Sequence, residues 1–237
     1  MALPINPTPT FTLKVPSTGQ KIRYRPFLVK EEKALLIAQQ TNNIEVMLST
    51  IRDVIAACVL DPINLDKLAS FDIEYIFVQL RAVSVGELVE LVFQCDDCTV
   101  PEAQVKMTVN LLDLKVDTPS DHTKIIKLFN DVGIVMKYPS LDTIKKLDTV
   151  NYTDVDQVFD ITIDCIESIF DGDQMFTAAE QAREELAEFL NNLTAEQYEK
   201  IQEFFRTMPT LRQPVRYTCP VCKKEHNKYL EGLSSFF

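Results

Sequence analysis

FQCDDCTV at 93–100 and YTCPVCKK at 217–224 each place two cysteines at C-x-x-C spacing, with 120 residues between Cys98 and Cys219. These two stretches take four of the six cysteines in the chain. The segments flanking the first pair, ELVELVFQC and VKMTVNLLDLKV, alternate apolar and polar residues at period two, the pattern of strands. The second pair sits in QPVRYTCPVCKKEHNKYLEG, which reads the same way. Each pair is therefore expected to form a tight knuckle between two strands. Two knuckles can turn four thiolates toward one ion, so that Cys95, Cys98, Cys219 and Cys222 supply a tetrahedral all-sulfur set. Zinc suits such a set because it is d¹⁰, redox-silent and content with four sulfurs. A closed set leaves no position for water, so the expected role is structural, with one ion per chain.

The separation of the pairs then has a meaning: a zinc ribbon whose halves are split by an insertion. Structural zinc contributes about 10–16 kcal/mol in small peptides, a figure to be discounted in a chain with a core of its own. A redox C-x-x-C is the competing reading of CPVC. Redox pairs open helices, where the dipole lowers the thiol pKa, and neither pair here opens a recognisable helix. Four unrelated thiols is the plainest alternative. Cys58 and Cys165 lie on apolar helical faces and read as small core residues.

With 237 residues, 46% of them hydrophobic and 25% charged, the chain is long enough to bury a substantial core. It holds five glycines and neither phosphate-cradling glycine motif. A net charge of −11 disfavours a nucleic-acid partner, since phosphate binding needs a concentrated basic surface. The basic pairs Lys145-Lys146 and Lys223-Lys224 are too short to change that. No apolar run approaches the roughly 20 residues of a membrane span. The opening MALPINPTPTFTLKV has no basic-then-apolar signal layout, so a reducing cytoplasm, where disulfides are poor staples, is the expected setting.

Along the chain, FTLKVPSTGQKIRYRPF reads as a β-hairpin with Phe11, Leu13 and Val15 sharing one face and Ile22 and Tyr24 sharing a face on the return strand. Helices follow over FLVKEEKALLIAQQT, NIEVMLSTIRDVIAACVL and FDIEYIFVQLRAVSV. Leu28, Leu35 and Leu36 are expected inward on the first of these, with Lys30, Glu31 and Glu32 outward. HTKIIKLFN reads as a helix, VGIVMKY as a short strand, and the remainder to residue 208 as mostly helical. Capping boxes are expected at Thr177 with Glu180 and at Thr194 with Gln197.

Candidate chemistry is sparse. His122 is placed at a helix start; His226 lies beside the second knuckle, where it could substitute as a ligand. FDGDQMF faintly resembles a calcium loop through Asp171 and Asp173, but lacks the other liganding positions. A turn ending a helix is the plainer reading. No assembled catalytic set is visible, so an enzyme is not expected.

Two longer stretches carry a family likeness. VPSTGQKIRYRPFLVKEEKALLIA (15–38) and FFRTMPTLRQPVRYTCPVCKKEHNKYLEGLSSFF (204–237) resemble the T4-type bacteriophage baseplate protein family, and the order of hairpin, RPFLVKEEK helix, knuckle, insertion, knuckle and terminal FF is retained over nearly the whole chain. The resemblance implies a non-catalytic role in the baseplate hub of a contractile tail, as hub subunit or hub-assembly factor. It implies other hub or tail proteins as partners, the tape-measure protein among them, and no nucleic acid or membrane. Its setting would be the host cytoplasm during assembly and the virion baseplate afterwards. A transient assembly chaperone absent from the mature virion is the first alternative; a zinc-ribbon interaction module unrelated to phage tails is the second. The apolar terminus, Phe236 and Phe237, is the candidate partner contact.

The expected fold is α+β: a mainly helical body with small antiparallel β-hairpins and a split Cys₄ zinc-ribbon-like unit. Its parts are a Pro-rich arm (1–9), a hairpin and helices leading to the first knuckle strand (10–94), and the ribbon halves (95–113 and 213–233). A mainly helical insertion (114–212) and an apolar tail (234–237) complete it.

Overall fold

The computed structural model describes residues 7–98, 100–143, 145 and 155–232. The tail with Phe236 and Phe237, most of the arm, and Lys146 lie outside them. The chain divides into two compact units. The first, the ribbon unit, comprises residues 1–65, 71–117 and 210–237; the second comprises 66–70 and 118–209.

The ribbon unit begins with the expected hairpin, β1 (Phe11–Lys14) paired antiparallel with β2 (Lys21–Tyr24). Leu13, Val15, Ile22 and Tyr24 are buried. Its turn is fastened to a later helix: the Ser17 N–H donates to Asp72 Oδ1 at 2.9 Å, and the Ser17 hydroxyl donates to Oδ2. Helix α1 (Val29–Gln40) buries Leu35 and Ala38, but also Glu31, while Leu28 and Leu36 are exposed. The expected inward face is thus only partly right, because Glu31 has a half-buried partner in Arg25. Helix α2 (Ile44–Cys58) starts at Asn43, whose side chain accepts the Val46 N–H, and buries Leu48, Ile51, Val54, Ile55 and Cys58. This is the i, i+3, i+4, i+7 stripe of an amphipathic helix.

Helix α3 (Ser70–Ser84) sends Val78 and Ala82 into a core shared with the ribbon strands. Those strands are β3 (Leu88–Gln94), β4 (Gln104–Asn110) and β5 (Lys115–Asp117), then β10 (Thr210–Thr218) and β11 (Glu225–Glu231). β3 and β4 pair antiparallel, and β5, β10 and β11 form a sheet in the order β11-β10-β5. Val109, Leu111, Leu211, Val215 and Leu230 meet the α3 residues. Asp117 pairs with Thr210, so the chain leaves for the second unit and returns from it at neighbouring positions of one sheet.

The second unit, expected to be mainly helical, combines helices with a sheet. It contains a four-stranded antiparallel sheet in the order β6-β7-β8-β9. The strands are β6 (Ile125–Phe129), β7 (Val132–Met136), β8 (Ile166–Asp171) and β9 (Gln174–Thr177). IIKLF, expected to be helical, is a strand whose residues alternate exposed and buried. Apolar residues at 125, 126, 128 and 129 fit both periods, and a run this short cannot choose between them. Helices α4 (Val155–Asp164), α5 (Arg183–Asn191) and α6 (Ala195–Arg206) belong to the same unit. Ile134, Met136, Cys165, Leu190, Ile201 and Phe204 share its core.

The Thr194–Gln197 capping box is present, with the Gln197 N–H on Thr194 Oγ1 and the Thr194 N–H on Gln197 Oε1. Thr177 makes no capping bond through its side chain. It ends β9, a short 3₁₀ turn over Ala178–Glu180 follows, and α5 begins after Ala182, whose N–H bonds to Glu185.

Gly133 fixes how this sheet packs. It faces Phe170 across the β7–β8 pair. A Cβ there would lie 2.2 Å from the Phe170 ring and 2.5 Å from the Ile126 carbonyl oxygen. The ring fills the space a side chain would take, as aromatics do over sheet glycines. Gly133→Ala must displace both the ring and a backbone strand, at an expected cost of about 3 kcal/mol. A urea-unfolding midpoint unchanged in this variant would contradict that packing.

Candidate metal centre

The two knuckles are built alike. β3 delivers Cys95, the chain turns through Asp96-Asp97 to Cys98, and the Cys95 N–H bonds back to the Ala103 carbonyl at 3.3 Å. β10 delivers Cys219, the chain turns through Pro220-Val221 to Cys222, and the Cys219 N–H bonds to the Lys224 carbonyl at 2.9 Å. The second turn closes with the Lys223 N–H on the Cys219 carbonyl and Lys223 in the left-handed region, φ 63°. In both turns backbone N–H groups point at the first sulfur: that of Asp97 at Cys95, and those of Val221 and Cys222 at Cys219.

The sequence singled out four sulfurs, and the fold brings all four together. The Sγ atoms of Cys95, Cys98, Cys219 and Cys222 lie within 4.8 Å of one another, and all four residues are free thiols. Cys95 and Cys219 are buried, Cys98 is half-buried and Cys222 is exposed. Ala103, fully buried, packs against them. The Cys95–Cys222 Sγ separation is 3.8 Å. A tetrahedral zinc with bonds of about 2.3 Å needs sulfurs about 3.8 Å apart, so the donor set has the size and the chemistry for that ion.

Electrostatics point the same way. At Cys219 burial resists ionisation, but the N–H donors of Cys222 and Val221 outweigh it, with help from neighbouring thiols, and bring the pKa down to about 7. Cys98 is pushed up to about 12, first by its hydrogen bond with Cys222 and then by burial. One thiolate forms readily; further negative charge in the same few ångströms is resisted. A bound dication reverses that resistance and lets the remaining thiols ionise.

Around the sulfurs the halves interlock. Tyr217 stacks between Phe93 (centroids 5.3 Å apart) and His226 (5.0 Å), and its hydroxyl donates to the Gln94 carbonyl at 3.1 Å. Lys224 pairs with Asp97 at 2.6 Å and Lys228 with Asp96 at 2.7 Å, linking the second hairpin to the first knuckle. These pairs are largely exposed and set register more than stability. His226 is buried with Nε2 3.2 Å from Cys95 Sγ. It thus sits against one of the four sulfurs, and Cys95, Asp97 and His226 form a second, overlapping group with metal-ligand spacing. The Tyr217 bridge was not read from sequence; the spacing of Phe93 two residues before Cys95 and Tyr217 two before Cys219 was the available signal.

The other singled-out residues lie elsewhere. Cys58 and Cys165 are buried, and burial raises their thiols to about 11 and about 12, as suits core residues. His122 does not start a helix: its ring bonds to Thr207 Oγ1 and to the Tyr138 hydroxyl, both at 3.0 Å, and packs on Phe204. Asp171 and Asp173 flank Gly172 (φ 57°) in the β8–β9 hairpin turn, so the turn ends a strand where a helix end was expected. Among the described residues no helix is long and apolar enough to cross a membrane.

No curated protein and no solved structure is significantly similar to this chain. A family model does match, the T4 bacteriophage base plate protein, over residues 7–237. Hairpin, helices, both knuckles and the segment between them all fall inside that match, and the chain belongs to the T4 bacteriophage base plate protein family.

Proposed function

We propose that this chain is a non-enzymatic protein of the phage baseplate hub, a structural subunit whose ribbon unit is held by one structural zinc. The observation that carries the reading is the closed all-sulfur donor set in a member of a baseplate family. Family membership implies contacts with other baseplate or tail proteins, among which the tape-measure protein is our candidate. Four protein sulfurs leave the ion no open position for substrate, which favours a fastening role. The ion would join the hairpin β3–β4 to the hairpin β10–β11, and so close the sheet at which the chain departs at Asp117 and returns at Thr210. The tail with Phe236 and Phe237 is the proposed contact with a neighbouring subunit.

Quantitative mass spectrometry of purified mature phage, beside unassembled hub intermediates, tests the role. A fixed small copy number per particle is expected. Presence in intermediates with absence from particles would replace the subunit by an assembly factor, and absence from both would overturn the hub reading. Deleting residues 234–237 is expected to reduce incorporation while leaving the thermal transition of the isolated protein unchanged; full incorporation would remove the tail from the contact.

A further inference from the structure

The two edges of the four-stranded sheet are treated differently. β6 carries the devices that keep an edge from pairing: a register shift between Lys127 and Phe129, a lysine on the strand, and Lys200 of α6, whose Nζ donates to the Leu128 carbonyl at 3.1 Å. β9 carries none of them. Its register with β8 runs unbroken from Ser168↔Thr177 to Asp171↔Gln174, and all four residues are exposed, Met175 at 66% and Phe176 at 41%. From Ile166 to Ala182 the sequence has no lysine, arginine or proline.

The ladder also says which groups are free. A two-residue turn makes Asp171 and Gln174 a hydrogen-bonded pair, so alternation leaves the N–H and C=O of Met175 and the N–H of Thr177 facing away from β8, the Thr177 carbonyl being taken by the 3₁₀ turn that follows. The surroundings are of one sign. Glu167, Asp171, Asp173 and Glu180 flank the strand, and among the described residues none of these carboxylates is ion-paired. The asymmetry extends to the whole segment: residues 118–209 hold 18 Asp and Glu against 8 Lys and Arg, a net −10, which leaves −1 for the rest of a chain at −11.

We propose that β9 is a docking edge for an extended, lysine- or arginine-rich segment of another protein, which adds to the sheet as a fifth strand. Main-chain bonds to Met175 and Thr177 would supply affinity, and the apolar Met175 and Phe176, on opposite faces of the strand, would select side chains. The carboxylates would select charge. Pairing with β9 of a second copy is disfavoured, since it would set two such acidic rims against each other. Identifying the segment's owner as a baseplate neighbour rests on the hub reading; the binding property does not.

The test uses the full chain and two capped octapeptides, one alternating Lys and Val, the other alternating Glu and Val. Hydrogen exchange and fluorescence anisotropy are read at fixed salt. The Lys-Val peptide is expected to bind and to slow exchange at the Met175 and Thr177 amides, and the Glu-Val peptide is expected not to bind. Met175→Pro removes an outward N–H without touching the β8 ladder, and should weaken binding by at least about tenfold. Met175→Lys, which keeps every main-chain group, should weaken it by repulsion and covers the case in which the proline variant fails to fold. Equal affinity for both peptides, protection confined to the acidic helices, unchanged binding in Met175→Lys, or a β9-dependent homodimer in sedimentation would each overturn the proposal. Because the assay uses isolated protein, its failure is separate from any result on copy number in phage.

Discussion

Replacing Cys219 by serine is expected to strip the metal from the protein and to cost the ribbon unit about 4–6 kcal/mol, a share of what structural zinc supplies in peptides without a core. Cys219 is the most consequential choice because it is fully buried and its sulfur receives two backbone N–H groups. A serine hydroxyl there is a poor ligand at neutral pH, and three remaining thiols would crowd a site without the charge that reconciles them. A strong chelator should destabilise the natural protein by a similar amount and leave Cys219→Ser unaffected. Cys165→Ala, at a buried cysteine outside the cluster, should retain full metal content. Calorimetry with metal analysis on the same samples reads all three. A metal-free Cys219→Ser protein with an unshifted transition would show that the ion holds nothing together.

Glu31→Ala is expected to have the next largest effect, about 3–5 kcal/mol, the range for removing one partner of a buried pair. Glu31 Oε1 lies 3.0 Å from Arg25 Nη2, with the two side chains 6% and 15% exposed. Its other oxygen accepts the Leu28 N–H at 2.7 Å, at the start of α1, where no residue supplies a conventional cap. The mutation therefore frees a helix-terminal donor and leaves a guanidinium in a largely buried position. Arg25 keeps its bonds to the Ala57 and Pro26 carbonyls, which do not neutralise it. The double change Arg25→Met with Glu31→Leu should recover most of the loss, since the remaining groups are then apolar.

The same pair gives a pH signature. Burial pushes the Glu31 carboxyl up, but the Leu28 N–H and Arg25 outweigh it and hold it below its ordinary value of 4.5. A depressed carboxyl contributes stability that is fully present above 4.5 and lost as pH falls through the folded value. The stability gap between the natural protein and Glu31→Gln should therefore be constant near neutrality and narrow below pH 4.5. Urea unfolding at pH 7 and pH 3 checks it; a gap that widens in acid would contradict the assignment.

What could be read from sequence follows from which signals are local. The knuckles were legible because C-x-x-C between alternating segments constrains chemistry and backbone together, and a second copy of the pattern supplies the missing half of the ligand set. Helices α2 and α3 were legible because fifteen residues at helical period leave little choice. In the sheet β6–β9 only β7 was read as a strand, in VGIVMKY; β6 was misread and β8 and β9 were missed because these strands are four to six residues long, and IIKLF satisfies both periods. Turn chemistry held the missed clue: Asn130, at φ 45°, and Gly172 each close a hairpin. Glu31 was expected at the surface because its partner's burial is a tertiary fact. His226 against Cys95, and Tyr217 against Gln94, join residues more than a hundred positions apart, and only the matched placing of Phe93 and Tyr217 before their cysteines hints at the second.

X-ray absorption at the zinc edge, on protein purified without added metal, reads the ligand set itself. One zinc per chain with four sulfurs at about 2.3 Å and no oxygen or nitrogen in the shell is the expected result. A spectrum with three sulfurs and one nitrogen would put His226 on the ion and displace a cysteine. A light-atom position occupied by water would make the site open, and absence of metal would leave the two hairpins to be held by packing alone; any of these would contradict a closed structural centre.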